Sequence, residues 1–313
     1  MKEIRNILIV ADPTASAQPA LEKGARLAQA FGARVELFIC DYRAGLDART
    51  AEADRARSIL LQHRRERLDE LAQPLRAADI EVAVDAIFDN PLHEGILRKI
   101  VKSHADLVIK DTHHHSLARR TLITNTDWHL IRSSSTPLLL VKPEAWSDQR
   151  RVLAAVDPGH NYDKPAALDH EIGEWTATLA AQLKGEAHAL HAYMPATLLM
   201  TATAATGFGM SVATGAETEL LAEERRMKAE MLRELMAPHG IDATRTHLTL
   251  GSASELLPSE AERLAVDLIV MGAVSRSRMQ RLFVGSTAER VLDRLPCDVL
   301  IVKPLNFCSD LPF

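Results

Sequence analysis

The chain has 313 residues, 47% hydrophobic and 25% charged, with a net charge of −5. That length points to two domains, each able to bury its own core, and the acidic balance excludes a global basic field that would gather nucleic acid. Cys40, Cys297 and Cys308 are too scattered for a disulfide framework or a C-x-x-C zinc site and indicate a reducing, cytoplasmic setting. No apolar run reaches the roughly 18 residues of a membrane span, and the amino-terminal run after Asn6 is too short for a signal peptide.

Taken in order, Asn6 to Val10 predicts a buried strand ending at Asp12-Pro13. Gln18 to Phe31 predicts a helix closed by Gly32, and Val35 to Ile39 the next strand. Arg49 to Ala78 predicts a long helix interrupted near Pro74. Its arginines (Arg55, Arg57, Arg64, Arg65, Arg67) alternate with acids and predict a solvated, salt-bridged face rather than a nucleic-acid surface. Strand Glu81 to Ile87, helix Pro91 to Ser103 and strand Asp106 to Ile109 follow. Thr126-Asp127 predicts an N-cap for a helix that turns Trp128 or Leu130 inward, and Leu138 to Val141 closes the series as a strand.

The chain then repeats. Asp12-Pro13 returns as Asp157-Pro158, an offset of 145 (157 − 12), and Asp106-Leu107 returns as Asp267-Leu268, an offset of 161 (267 − 106). From there to Pro143 and Pro304 the halves align without a gap. The second half therefore gains 16 residues (161 − 145). A period this long marks duplicated domains, not a solenoid. The polar link Glu144 to Arg150 divides them into 1–147 and 148–313. Strands alternating with helices predict an α/β fold, doubly wound and mainly parallel, in each half.

Part of the added length is Met194 to Glu217, apolar and almost uncharged, which follows the predicted strand Ala187 to His191. One reading packs it on a domain. The other makes Leu198, Leu199, Met200, Phe208 and Met210 the wall of an apolar or lipid-like ligand's pocket. Glu219 to Ala237 predicts a helix, His247 to Leu250 a strand and Glu255 to Leu264 a helix.

Asp267 to Met271 predicts a buried strand ended by Gly272. A loop with Arg276, Arg278 and Arg281 leads to Gly285-Ser286-Thr287, a helix over Ala288 to Leu295 and a last strand, Val299 to Val302. Gly285-Ser286-Thr287 is readable as an ordinary helix cap. Beside a strand end and Gly272 it is also readable as a phosphate cradle, since free N–H groups and the helix dipole favour an anion there. The spacing is neither a Walker A loop nor a dinucleotide fingerprint.

The glycine spacing and the flanks DLIVMG, GSTAERVL and PCDVLIVK resemble the universal stress protein family, in its tandem form. Ser275 stands where ATP-binding members carry a second glycine. The resemblance implies a cytoplasmic stress-response protein with two flavodoxin-like domains. They would pair inside one chain through Leu138–Val141 and Val299–Val302, and a homodimer is a further possibility. It also implies ATP or a related nucleotide as ligand. Asp157 would touch the adenosine, Ala192 the adenine edge, and Gly272, Ser275, Gly285, Ser286 and Thr287 the phosphates.

In the first half Asp111 replaces Gly272, His114 replaces Ser275 and Thr124 replaces Gly285. A carboxylate then lies where a phosphate would, which predicts no nucleotide there. His113, His114 and His115 are readable as a solvated polar loop or as weak metal or anion ligands, without a helical H-x-x-x-H spacing. No catalytic constellation stands out. The leading expectation is a non-enzymatic small-molecule-binding protein. The alternatives are a carrier of an apolar ligand and a slow nucleotide hydrolase.

Overall fold

The computed structural model describes residues 2–15, 17–115, 120–159, 166–195, 215–273, 290–305 and 307. The first repeat runs β1 (Asn6–Val10), α1 (Pro19–Phe31), β2 (Arg34–Asp41), α2 (Ala51–Ala77), β3 (Val82–Phe88), α3 (Leu92–Ser103), β4 (Leu107–Asp111), β5 (His113–His115), β6 (Arg120–Leu122), α4 (Asn125–Ser133) and β7 (Leu138–Val141). The second runs β8 (Arg151–Ala155), α5 (Ala166–Gln182), β9 (Glu186–Tyr193), α6 (Gly215–Met236), β10 (Thr246–Leu250), α7 (Ala253–Arg263), β11 (Leu268–Gly272) and β12 (Asp298–Val302).

Ten strands form one sheet in the order β10-β9-β8-β11-β12-β7-β4-β1-β2-β3. Each repeat contributes five parallel strands in the order third, second, first, fourth, fifth, and the α/β, doubly wound expectation holds. The one antiparallel pairing in this sheet joins the repeats: Val299 faces Leu140, Leu300 faces Leu139 and Ile301 faces Leu138. The paired positions of these two strands are all apolar because helices cover both faces of the sheet. On one face an apolar cluster runs from Ile9 and Leu27 through Trp146 to Leu168 and Trp175. On the other, Leu8, Phe38 and Ile100 continue into Leu257, Ile269 and Val291. The two repeats thus share continuous cores.

Local chemistry sets the element ends. Pro19 opens α1, where its missing N–H costs nothing. Gly32, at φ +64°, closes it in the left-handed region. The Thr50 side chain accepts the Ala53 N–H at the start of α2.

Four expectations change. Helix α2 continues through Pro74 to Ala77. Pro74 lies in the last turn, and buried Ala72 and Leu75 hold that turn to the sheet. Arg64 of α2 points inward, its Nε donating to Asp41 Oδ2 at 2.8 Å, while Arg65, still 48% exposed, donates to the Ala86 carbonyl at 3.0 Å. With Arg76 donating to the Val82 carbonyl at 3.3 Å, Arg65 occupies carbonyls of edge strand β3, which hinders strand addition there. The cap of α4 is Thr124, not Thr126: its hydroxyl accepts the Asp127 N–H while Asp127 accepts the Thr124 N–H, a reciprocal box. Leu130 is the residue turned fully inward. Finally, His113–His115 form a short antiparallel ladder with Arg120–Leu122 rather than a loop.

Candidate functional site

Strand β8 is the switch point of the second repeat, with β9 on one side and β11 on the other. Ligands of doubly wound sheets bind at such a point, outside the carboxyl strand ends. The fold brings together three of the expected residues there: Asp157 just beyond β8, Ala192 near the end of β9 and Gly272 at the end of β11.

Asp157 is the chemically distinctive one. Its side chain is 16% exposed, yet both carboxylate oxygens are buried with no hydrogen-bond partner among the described residues. Its backbone N–H donates to Asp169 Oδ1 at 3.1 Å, which fixes the turn. His191, 1% exposed, approaches Asp157 Oδ1 to 3.9 Å through Nδ1. That nitrogen lies 3.1 Å from the Val156 carbonyl, so it carries a proton. A buried carboxylate left without donors costs about 1–3 kcal/mol or more.

The same position in the first repeat is satisfied internally. Asp12 Oδ1 accepts the Thr14 N–H at 2.7 Å and the Thr14 hydroxyl at 2.6 Å. The counterpart of Thr14 is Gly159, which has no hydroxyl. The hydroxyl bond of the first repeat therefore has no equivalent in the second.

Gly272 has a packing reason to be glycine. A Cβ there would come 2.5 Å from Leu168 Cδ2 of α5, and Leu168 is fully buried. In the first repeat this position is Asp111, whose Oδ1 accepts the Ala20 N–H at 2.7 Å in the first turn of α1. Burial pushes the Asp111 carboxyl up to about 6. A second carboxylate, Asp127, is wholly buried at the start of α4, and Lys110 Nζ stands 2.8 Å from its Oδ1. Both helix starts that face this crevice in the first repeat thus hold side-chain carboxylates. Their counterparts at Lys110 and Asp127 are Met271 and Ala288.

Ser275, Gly285, Ser286 and Thr287 lie outside the described residues, as do Leu198, Leu199, Met200, Phe208 and Met210. The backbone of His113, His114 and His115 is described, as β5. Among the described residues no group of three or more His, Cys, Asp or Glu is placed to hold a metal ion, and no helix is long and apolar enough to cross a membrane. Sequence reasoning missed His191, Leu168 and Asp169. His191 was findable, since it closes a predicted strand at the edge where ligands bind. Leu168 and Asp169 reach the site from α5 and carry no local signal.

A sequence profile of the universal stress protein family matches residues 3–142 and 149–303. The chain is 30% identical to universal stress protein E of Escherichia coli K12, over 97% of this chain and 95% of that one. It is 28% identical to the protein of that name from Photorhabdus laumondii, covering 98% and 97%. Among solved structures, a functionally unknown protein from Pseudomonas aeruginosa PAO1 superposes with a TM-score of 0.72 at 25% identity, covering 97% and 94%. A universal stress protein from Archaeoglobus fulgidus shares the fold at a TM-score of 0.65 and 18% identity, covering 97% of each chain.

Proposed function

The chain belongs to the universal stress protein family, and on that premise we propose that it is a non-enzymatic stress-response protein of the cytoplasm that holds a small polar ligand in its second repeat only. The observation that carries this reading is the contrast between Asp12, closed by Thr14, and Asp157, whose buried oxygens have no described partner. Two acceptor oxygens call for two donors close together, such as a vicinal diol. ATP or a related nucleotide offers one on its ribose. Asp157 then takes the sugar and Ala192 borders the base, while Gly272, Ser275, Gly285, Ser286 and Thr287 run beside the phosphates.

In the first repeat Asp111 and Asp127 already occupy the helix starts that an anion would use, which supports a site closed to nucleotides. Native mass spectrometry of the freshly purified chain tests the proposal. A bound nucleotide, released by denaturation, supports it; an empty chain that also takes up no nucleotide at millimolar concentration contradicts it.

A second reading has one observation in its favour. Met194 and Leu250 are 51% and 53% exposed where β9 and β10 end side by side. They give the rim of the site an apolar border suited to a ligand with hydrocarbon character. Co-purification of a lipid-like mass would favour this carrier role over nucleotide binding.

A further inference from the structure

The outermost part of the second repeat, from the turn Ala237–His239 to the end of β10, is tied to the rest of the domain by two histidine pairs. On one side of the sheet, His239 Nε2 lies 3.3 Å from His170 Nδ1 of α5. The helix makes room for this contact: a Cβ on Gly173 would come 2.5 Å from His239 Cδ2. On the other side, His247 Nε2 of β10 lies 3.1 Å from His188 Nδ1 of β9, with the rings stacked at 5.4 Å.

The first repeat shows what the second pair replaces. There Phe38 faces Asp85 across β2 and β3; in the second repeat Leu190 faces His247 across β9 and β10. Glu36 and His188 each sit two residues before those anchors. The helices that cover them end alike, at His104 with φ +49° and at Ala265 with φ +47°, which sets Lys99 against Glu260. In the first repeat Lys99 Nζ binds Glu36 at 2.6 Å and Asp85 at 2.8 Å. The second repeat has two histidines and Glu260 in those places. An edge held by a lysine and two carboxylates has become an edge held by imidazoles, the side chain that titrates between pH 5 and 8.

We propose that the segment from Ala237 to Leu250 is an acid-released edge, held by the His170–His239 and His188–His247 pairs and let go when both rings of a pair are protonated. A neutral pair joins one N–H donor to one acceptor nitrogen. Two imidazolium rings present only donors, and like charges, to each other.

The surroundings offset the added charge only in part. His188 and His247 face Glu186, Arg151, Arg245, Glu260 and Arg263: two acids against three arginines. Glu260 is already taken by Arg263, at 3.0 and 2.6 Å, and Glu186, whose Oε2 lies 3.5 Å from His188 Nε2, is shared with Arg151 at 3.2 Å. The His170–His239 pair faces Glu174, which Lys2 holds at 3.0 Å. Burial pushes His188, His239 and His247 below the usual histidine range. For a lowered histidine the unfolded form takes protons first. The stabilisation is therefore present above about pH 6.5 and is lost as the pH falls below it.

Hydrogen exchange of the full-length chain at pH 7.5, 6 and 5, corrected for intrinsic rates, reads this directly. Protection over 246–250 is expected to fall by about tenfold or more between pH 7.5 and 5, the effect of about one proton taken up preferentially on opening. Protection over 82–88, the matching edge of the first repeat, is expected to hold. Replacing the cluster with its first-repeat counterpart (His188→Glu, His247→Asp and Glu260→Lys together) is expected to flatten the response of β10. Equal loss at both edges, or none at either, overturns the proposal whether or not the replacement folds. So does a folded replacement that keeps the full response.

Discussion

Lys23 and Asp298 form a buried ion pair that joins the two repeats. Lys23 Nζ lies 2.9 and 2.8 Å from the two Asp298 oxygens, and the side chains are 5% and 1% exposed. The Lys142 N–H, at 2.8 Å, and the Trp146 indole N–H, at 2.7 Å, complete the shell around the carboxylate. Among the described residues, the related junction at the other end of the β7–β12 pairing has no such carboxylate. Pro137 stands in place of Asp298 in the alignment, and the Lys303 amine lies 4.7 Å over the Phe307 ring, where burial pushes it down to about 8.

Removing the Asp298 carboxylate leaves Lys23 buried and uncompensated. Asp298→Ala is expected to cost about 3–5 kcal/mol, read as a shifted urea midpoint. A double variant with Lys23→Met is expected to recover a large part of that loss, because the orphaned charge goes with it. No recovery would mean that the hydrogen bonds of Lys142 and Trp146, not the ion pair, hold the junction.

Asp111 makes a pH prediction of unusual sign. Its carboxyl is raised from 3.8 to about 6, chiefly by burial, so between those values the folded chain binds more protons than the unfolded one. Its contribution to stability is greatest below the unfolded value and is lost as the pH rises through that window. Asp111→Asn keeps an acceptor for the Ala20 N–H and removes the buried charge. It is expected to stabilise the chain by roughly 1–3 kcal/mol at pH 7 and to flatten its stability between pH 4 and 6. A destabilised variant at pH 7 would show that the ionised carboxylate on the start of α1 is worth more than its burial costs.

Gly272→Ala sets a methyl against Leu168 inside a packed core. The expected loss is about 1–3 kcal/mol, and it is smaller when the same change is made in a Leu168→Ala chain, where the methyl has room. Thermal unfolding of the three variants checks it. If Gly272→Ala is neutral in stability, the glycine has no packing role and its place in a ligand site gains weight.

The fold was legible because its signals are local. NILIV, LVIKD and DVLIV are short, apolar and β-branched, and the returns of Asp12-Pro13 and Asp106-Leu107 exposed the duplication. Gly272 was readable as the end of a strand, whereas Asp157 and Ala192 entered through the family resemblance; the strand order sets all three at one edge. What stayed hidden depends on contacts far apart in the chain. Nothing near Asp111 shows that its carboxylate meets the Ala20 N–H, or near Gly272 that Leu168 fills the space above it. The α4 cap was misplaced by two residues because Thr124 and Thr126 offer the same hydroxyl. Only the reciprocal contact with Asp127 decides between them. The contacts of Arg64 with Asp41 and of Arg65 with β3 were missed because charge alternation along a helix does not reveal the neighbouring strands.

The account rests on a second-repeat carboxylate that waits for a ligand and a first-repeat carboxylate that does not. Calorimetric titration of ATP, and separately of adenosine, into full-length Asp157→Ala and Asp12→Ala variants tests that most directly. The account predicts that Asp157→Ala weakens binding by about tenfold or more, the loss of one or two charge-assisted hydrogen bonds at about 1.5–3 kcal/mol each, while Asp12→Ala binds as the parent chain does. Equal binding by the parent and Asp157→Ala, or a loss confined to Asp12→Ala, would contradict it.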